Sequence, residues 1–151
     1  MSGDVLLDNG EKNRLQSTMW PDGILAASVT ARSAPRIAEL ARMRRAAMAN
    51  THLLMVDETG AGSDFPFSGE KLSPALTVYG ARDFDHACKI IDQIYAPQGA
   101  GHSKSAHSSD DRNILLFGFE LPVLPRHRVS GALLRDGRCF DNDLPFSLSM
   151  G

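Results

Sequence analysis

The stretch FSGEKLSPALTVY, residues 67–79, sets a carboxylate and an ammonium group, Glu70 and Lys71, directly ahead of an apolar run that reads as a buried strand. Gly69 precedes the pair, and a glycine lets a ligand or another backbone approach closely. A carboxylate at such a strand mouth can hold a ligand's hydroxyl groups; read from its neighbours alone, Glu70 is more simply a solvated loop residue. His102 falls between a glycine turn and a predicted strand, at an end of a sheet element where α/β proteins tend to place ligands. Histidines are also common as plain surface or hydrogen-bonded residues, and alone His102 fits that role too.

Other reactive residues do not form patterns. Cys88 and Cys139 give neither a disulfide framework nor a metal-ligand spacing, and Cys88 reads as a small core residue on a helix face. His52, His86, His102, His107 and His127 are too scattered for a local metal motif, so no structural metal is expected. No G-x-S-x-G elbow supports a hydrolase triad. The glycines at 60, 62, 99 and 101 match neither a phosphate-binding loop nor a dinucleotide fingerprint, and Gly99-Ala100-Gly101 reads as a helix stop. Arg42, Arg44 and Arg45 sit at the end of a helical pattern, where cations complement the helix dipole.

The elements that must position these residues are those of an ordinary folded chain of 151 residues, 42% hydrophobic and 23% charged. A net charge of −2 without a strong basic patch argues against nucleic acid as a partner. No apolar run approaches the ~20 residues of a membrane span, and MSGDVLLDNG lacks a signal-peptide layout, so a cytoplasmic protein with no membrane partner is expected. Residues 8–20 predict a short helix capped by Asp8 or Asn9, with Leu15 and Met19 on one face, ended by Trp20-Pro21-Asp22-Gly23. SAPRIAELARMRRAAM predicts a second helix, residues 33–48, capped by Ser33 with Pro35 in its first turn.

Strands are predicted at 52–56 and 72–79, with a loop over 57–69 between them. The clearest helix follows, capped by Asp83, with Phe84, Ala87, Cys88, Ile91, Ile94 and Tyr95 on its buried side and Pro97 and Gly99 closing it. A strand over 102–107, a helix over 110–120 and a strand near 129–134 complete the reading. Strands alternating with helices give an α/β fold with a mostly parallel sheet flanked by helices.

Residues 65–103, FPFSGEKLSPALTVYGARDFDHACKIIDQIYAPQGAGHS, resemble the coenzyme-A-acylating branch of the aldehyde dehydrogenase superfamily, especially its sulfoacetaldehyde dehydrogenase-like members. Those proteins show Glu-Lys-Leu-Ser-Pro, a strand, a helix and a Gly-x-Gly-His turn in this order. Upstream, LQSTMWPDGILAASVTARSAPRIAELA is similar to the preceding helical stretch of the family, and FDNDLPFSLSMG, residues 140–151, to a segment near its C-terminus. The resemblance implies NAD(P)-dependent oxidation of an aldehyde through a cysteine thioester, with coenzyme A taking the acyl group. Glu70 would accept hydrogen bonds from the nicotinamide ribose hydroxyls, Leu72 would pack near the nicotinamide ring, and Pro74 would shape the strand entry. His102, in the family's glycine turn, is the candidate for substrate or coenzyme A.

The resemblance also implies that residues 1–151 are one partial catalytic domain. Neither Cys88 nor Cys139 matches the family's nucleophile, so no catalytic residue is assigned, and the dinucleotide-binding domain and nucleophile segment are expected to be absent and the chain to be inactive alone. RHRVSGALLRDGRC, residues 126–139, replaces a strand and glycine-rich loop of the family. A second reading is a noncatalytic module that pairs with intact dehydrogenase subunits or with itself through edges a larger protein would cover.

Overall fold

Asp8 opens the first helix with its side chain: Oδ1 accepts from the Glu11 amide at 2.8 Å, and Glu11 reaches back to the Asp8 amide at 3.1 Å. This reciprocal capping box satisfies amide groups that have no partner within the helix. The computed structural model describes residues 3–99 together with 108–110, 112, 113 and 116. The chain divides into two units, meeting in sequence between Ala81 and Arg82.

In the first unit the order is β1 (Asp4–Leu6), α1 (Asn9–Met19), α2 (Ala34–Leu40), β2 (Leu53–Asp57) and β3 (Ala75–Val78), with 3-10 turns at Ala46–Asn50 and Pro66–Ser68. The strands form one parallel sheet in the order β1-β2-β3, with Val5 opposite Leu54, Leu54 opposite Ala75 and Val56 opposite Thr77. Alternation along each strand gives that sheet two unlike faces. Val5, Leu54, Val56 and Ala75 are buried in one core with Leu15 and Met19 of α1, Ile37 and Ala38 of α2, and Phe67. Leu6, Leu76 and Val78, one position out of step, are exposed.

The expected fold class, a parallel sheet with helices, is the one present, but several boundaries differ. The second helix stops at Leu40 instead of reaching residue 48. Arg42 takes a left-handed backbone, φ 54°, and the Met43 amide turns back to the Ala38 carbonyl at 2.9 Å, which closes the helix as a glycine usually would. The strand expected from Leu72 begins at Ala75, because Leu72 is also left-handed, φ 44°, and cannot extend the ladder. The predicted 52–56 strand is displaced by one residue, and β1 is too short to show a period in sequence.

Parallel neighbours need a long crossover, which is usually a helix. Between β2 and β3 the crossover is residues 58–74, whose regular structure is the single 3-10 turn. Its backbone groups must therefore find partners elsewhere, and side chains provide many of them, as set out below.

In the second unit α3 (Phe84–Gln98) is capped by Asp83, whose Oδ1 accepts from the His86 amide at 2.7 Å. Phe84, Ala87, Cys88, Ile91, Ile94 and Tyr95 are half-buried along it, which matches the expected face although none is fully enclosed. Pro97 lies inside the last turn, so it does not end the helix; Gly99, at φ 84°, does. Arg112, Asn113 and Leu116 are helical within the predicted 110–120 segment. The predicted strands at 102–107 and near 129–134 and the segment 140–151 lie outside the described residues.

Candidate functional site

Glu70 and Leu72 sit where the crossover turns into β3, at the amino end of the sheet; the amide of Leu54 donates to the Pro74 carbonyl at 2.9 Å and so marks the strand entry. Glu70 is exposed. Leu72 is 65% exposed and left-handed. A large apolar side chain in water on a backbone that costs ~1 kcal/mol or more to maintain is a combination that clusters at ligand sites. Ser73 Oγ, next in the chain, is buried and has no hydrogen-bond partner among the described residues. An orphaned hydroxyl beside an exposed carboxylate and an exposed leucine fits a ligand with both polar and apolar parts.

The turn carrying these residues is held from beneath. Phe67 is fully buried and meets the Trp20 ring edge-on, with centroids 5.0 Å apart. Lys71 Nζ donates to the Phe67 carbonyl at 2.6 Å, the Gly69 carbonyl at 2.8 Å and Thr77 Oγ1 at 3.2 Å. Thr77 Oγ1 donates in turn to the Phe67 carbonyl. Burial pushes the Lys71 ammonium below its ordinary pKa of 10.5. On the far side, the Ala31 amide donates to the Leu72 carbonyl at 2.9 Å. Earlier in the crossover the Gly62 amide donates to Ser68 Oγ at 3.0 Å. Gly60 lies so close to the Phe65 ring that a Cβ would come within 2.4 Å of it.

A second polar cluster, which sequence reasoning missed, occupies the carboxyl end of the sheet. Glu58 is buried; its Oε2 meets Lys12 Nζ at 2.9 Å and its Oε1 accepts from the Thr59 amide at 3.0 Å. Lys12 also donates to the Asp57 carbonyl at 2.8 Å. Tyr79 OH donates to the Gly60 carbonyl at 2.9 Å, and its pKa is raised above 10.0, first by burial and then by the Glu58 charge. Lys12 on a polar helix face and Glu58 in a loop carry no local sign of pairing, so the sequence could not show this pair.

Arg42, Arg44 and Arg45 are exposed, as a solvated cluster would be, but they follow the end of α2 at Leu40 instead of lying in its last turn. Arg45 pairs with buried Glu11 at 2.6 Å and donates to the Leu6 carbonyl at 3.0 Å, tying the chain after α2 to the start of α1. Arg42 and Arg44 line a cavity of about 410 Å³ with Ala38, Met43 and Met48. Cys88 is half-buried on α3, while Cys139 and the substrate candidate His102 lie outside the described residues. Among the described residues no group of three His, Cys, Asp or Glu side chains could hold a metal ion, and no helix is long and apolar enough to cross a membrane.

No family model matches the chain. The chain is 53% identical over 149 residues to the acylating sulfoacetaldehyde dehydrogenase of Cupriavidus necator, a match covering 99% of this chain and 30% of that protein. It is 28% identical over 144 residues to an acetylating succinate-semialdehyde dehydrogenase of Clostridium kluyveri, covering 95% of this chain and 31% of the relative. The chain thus spans about a third of the length of these curated relatives. Among solved structures, the acetylating aldehyde dehydrogenase of Geobacillus thermoglucosidasius superposes with a TM-score of 0.73 at 29% identity, over 80% of this chain and 26% of that one.

Proposed function

We propose, from the premise that this chain is homologous in sequence and fold to a section of the acylating aldehyde dehydrogenases, that its amino-end turn holds the nicotinamide ribose of NAD or NADP during oxidation of an aldehyde to a coenzyme A thioester. The observation that carries this reading is the Glu70–Leu72 turn: an exposed carboxylate, an exposed left-handed leucine and an orphaned serine hydroxyl within four residues, on a backbone fixed from both sides. When bound, NAD(P) supplies the hydride acceptor and coenzyme A the acyl acceptor.

The chain's own contribution is binding and orientation. Glu70, as a carboxylate, offers only acceptors, which suits the two adjacent hydroxyls of a ribose. Leu72 presents an apolar surface against which a nicotinamide ring can lie, excluding water from one of its faces. Fixing the ribose and the ring together limits the cofactor's rotation relative to the aldehyde carbon, and hydride transfer depends steeply on that geometry. Glu70 is neither nucleophile nor proton acceptor in this scheme.

NADH binding by the chain, followed by fluorescence, tests the reading. Replacing Glu70→Gln should raise the cofactor Kd by about tenfold, as expected for one lost charge-assisted bidentate contact. Unaltered cofactor affinity in that variant, or no cofactor binding by the parent protein, would remove Glu70 from the role.

A further inference from the structure

We propose that Lys71 is the positioning residue of this turn: its ammonium, held by Phe67, Gly69 and Thr77, fixes the backbone that presents Glu70 and Leu72 to the cofactor. The inference rests on the cofactor reading of Glu70 and adds to it a residue with no contact of its own to the ligand.

A lysine beside a binding carboxylate would ordinarily extend into water, where an ammonium is well hydrated. Lys71 turns inward. An ammonium has three donors, and here they converge on two main-chain carbonyls of the turn and one hydroxyl of β3. All are neutral acceptors; among the described residues Lys71 forms no ion pair. Even a half-buried ammonium without a counter-ion among the described residues carries a desolvation cost, and three well-placed acceptors offset it only if their positions are held.

What those positions hold is the backbone on either side of Glu70. The Gly69 carbonyl precedes Glu70 and Lys71 follows it, so one hydrogen bond closes a short ring around the glutamate's own Cα. The Phe67 carbonyl is shared by Lys71 and Thr77, which ties the turn to β3 and to the buried Phe67 ring. The Ala31 amide restrains Leu72 from the other side. A crossover with so little regular structure would otherwise leave Glu70 on a mobile loop, and a carboxylate misplaced by 1 Å loses most of its orienting value.

Lys71→Met keeps the length and the apolar stem but removes all three donors, whereas Thr77→Val removes the hydroxyl from β3 and Thr77→Ser retains it. Amide hydrogen exchange of the peptide spanning residues 67–72 and the cofactor Kd, from NADH fluorescence, are measured for each. Lys71→Met and Thr77→Val should speed exchange there about tenfold and raise the cofactor Kd several-fold, with Thr77→Ser close to the parent. Should Lys71→Met fail to fold, the Thr77 pair still decides the matter. Unchanged exchange, or faster exchange with an unchanged cofactor Kd while Glu70→Gln raises it, overturns the positioning role. A silent Glu70→Gln locates the failure in the cofactor reading itself, because exchange reports the brace without any ligand.

Discussion

At the carboxyl end of β2, buried Glu58 meets half-buried Lys12 at 2.9 Å; at the amino end of β3, Glu70 stays exposed while its neighbour Lys71 turns into the loop. Both ends spend a glutamate and a lysine on one sheet, yet the outcomes differ. At the first, each charge neutralises the other, and the remaining carboxylate oxygen is taken by the Thr59 amide. At the second, the cation is held by two main-chain carbonyls and the Thr77 hydroxyl, and Glu70 lies exposed on the turn so braced. Ligands in open α/β sheets usually gather beyond the carboxyl ends of strands. Here that end carries the Glu58–Lys12 ion pair, whose carboxylate is buried, and exposed Glu70 and exposed, left-handed Leu72 lie at the other.

If the carboxyl-end pair is structural, breaking it should cost stability and little else. Lys12→Met leaves the Glu58 carboxylate buried beside no cation, a loss of about 3 kcal/mol in unfolding free energy. Urea denaturation would show the midpoint falling with an unchanged slope, while the cofactor Kd of the remaining folded protein stays at the parent value. A cofactor Kd raised as far as in Glu70→Gln would mean that the two ends do not divide the labour in this way.

Leu72→Gly reverses the expectation. Glycine adopts φ 44° without steric cost, so relief of the left-handed strain can raise stability by up to about 1 kcal/mol, reduced by the greater freedom of glycine in the unfolded chain. The same change removes the apolar surface proposed to meet the nicotinamide, so cofactor affinity should fall several-fold as stability holds or rises. Stability and affinity falling together would show that Leu72 is held for packing and not for a ligand.

Local signals were legible in the sequence, and tertiary ones were not. Asp8 and Asp83 cap their helices because a side chain reaching an amide three residues on is a short-range event, visible in the order of residues. Leu15 and Met19 share a buried face because the helical period puts them there. The end of α2 was misjudged because Arg42 stands at a left-handed position that glycine usually marks, and Leu72 was read as strand for the same reason. Glu70 and Leu72 entered through a resemblance; nothing in their spacing distinguished them from a solvated loop. Glu58 with Lys12, Arg45 with Glu11, and the three acceptors of Lys71 depend on how distant segments meet.

The smallest effect, and the one that addresses both ends in a single titration, is the pH dependence of unfolding. Lys71 has a folded-state pKa below 10.5, so between that lowered value and 10.5 the unfolded chain binds more protons than the native one, and stability contributed by this group rises with pH. Tyr79 has a folded-state pKa above 10.0, so the native state holds its proton longer; its contribution is intact below 10.0 and is lost as pH rises through the folded value. The two ends therefore respond with opposite signs in the alkaline range. Denaturant midpoints measured from about pH 8 to pH 11 should lose the rising component in Lys71→Met and the falling component in Tyr79→Phe. Tyr95, raised by burial and then by Asp92, adds a falling component that neither variant touches, so the informative quantity is the difference between each variant and the parent. Were Lys71→Met to leave the alkaline slope unaltered, its ammonium would not be buried in the native state, and the contrast between the two ends of the sheet would lose its physical basis.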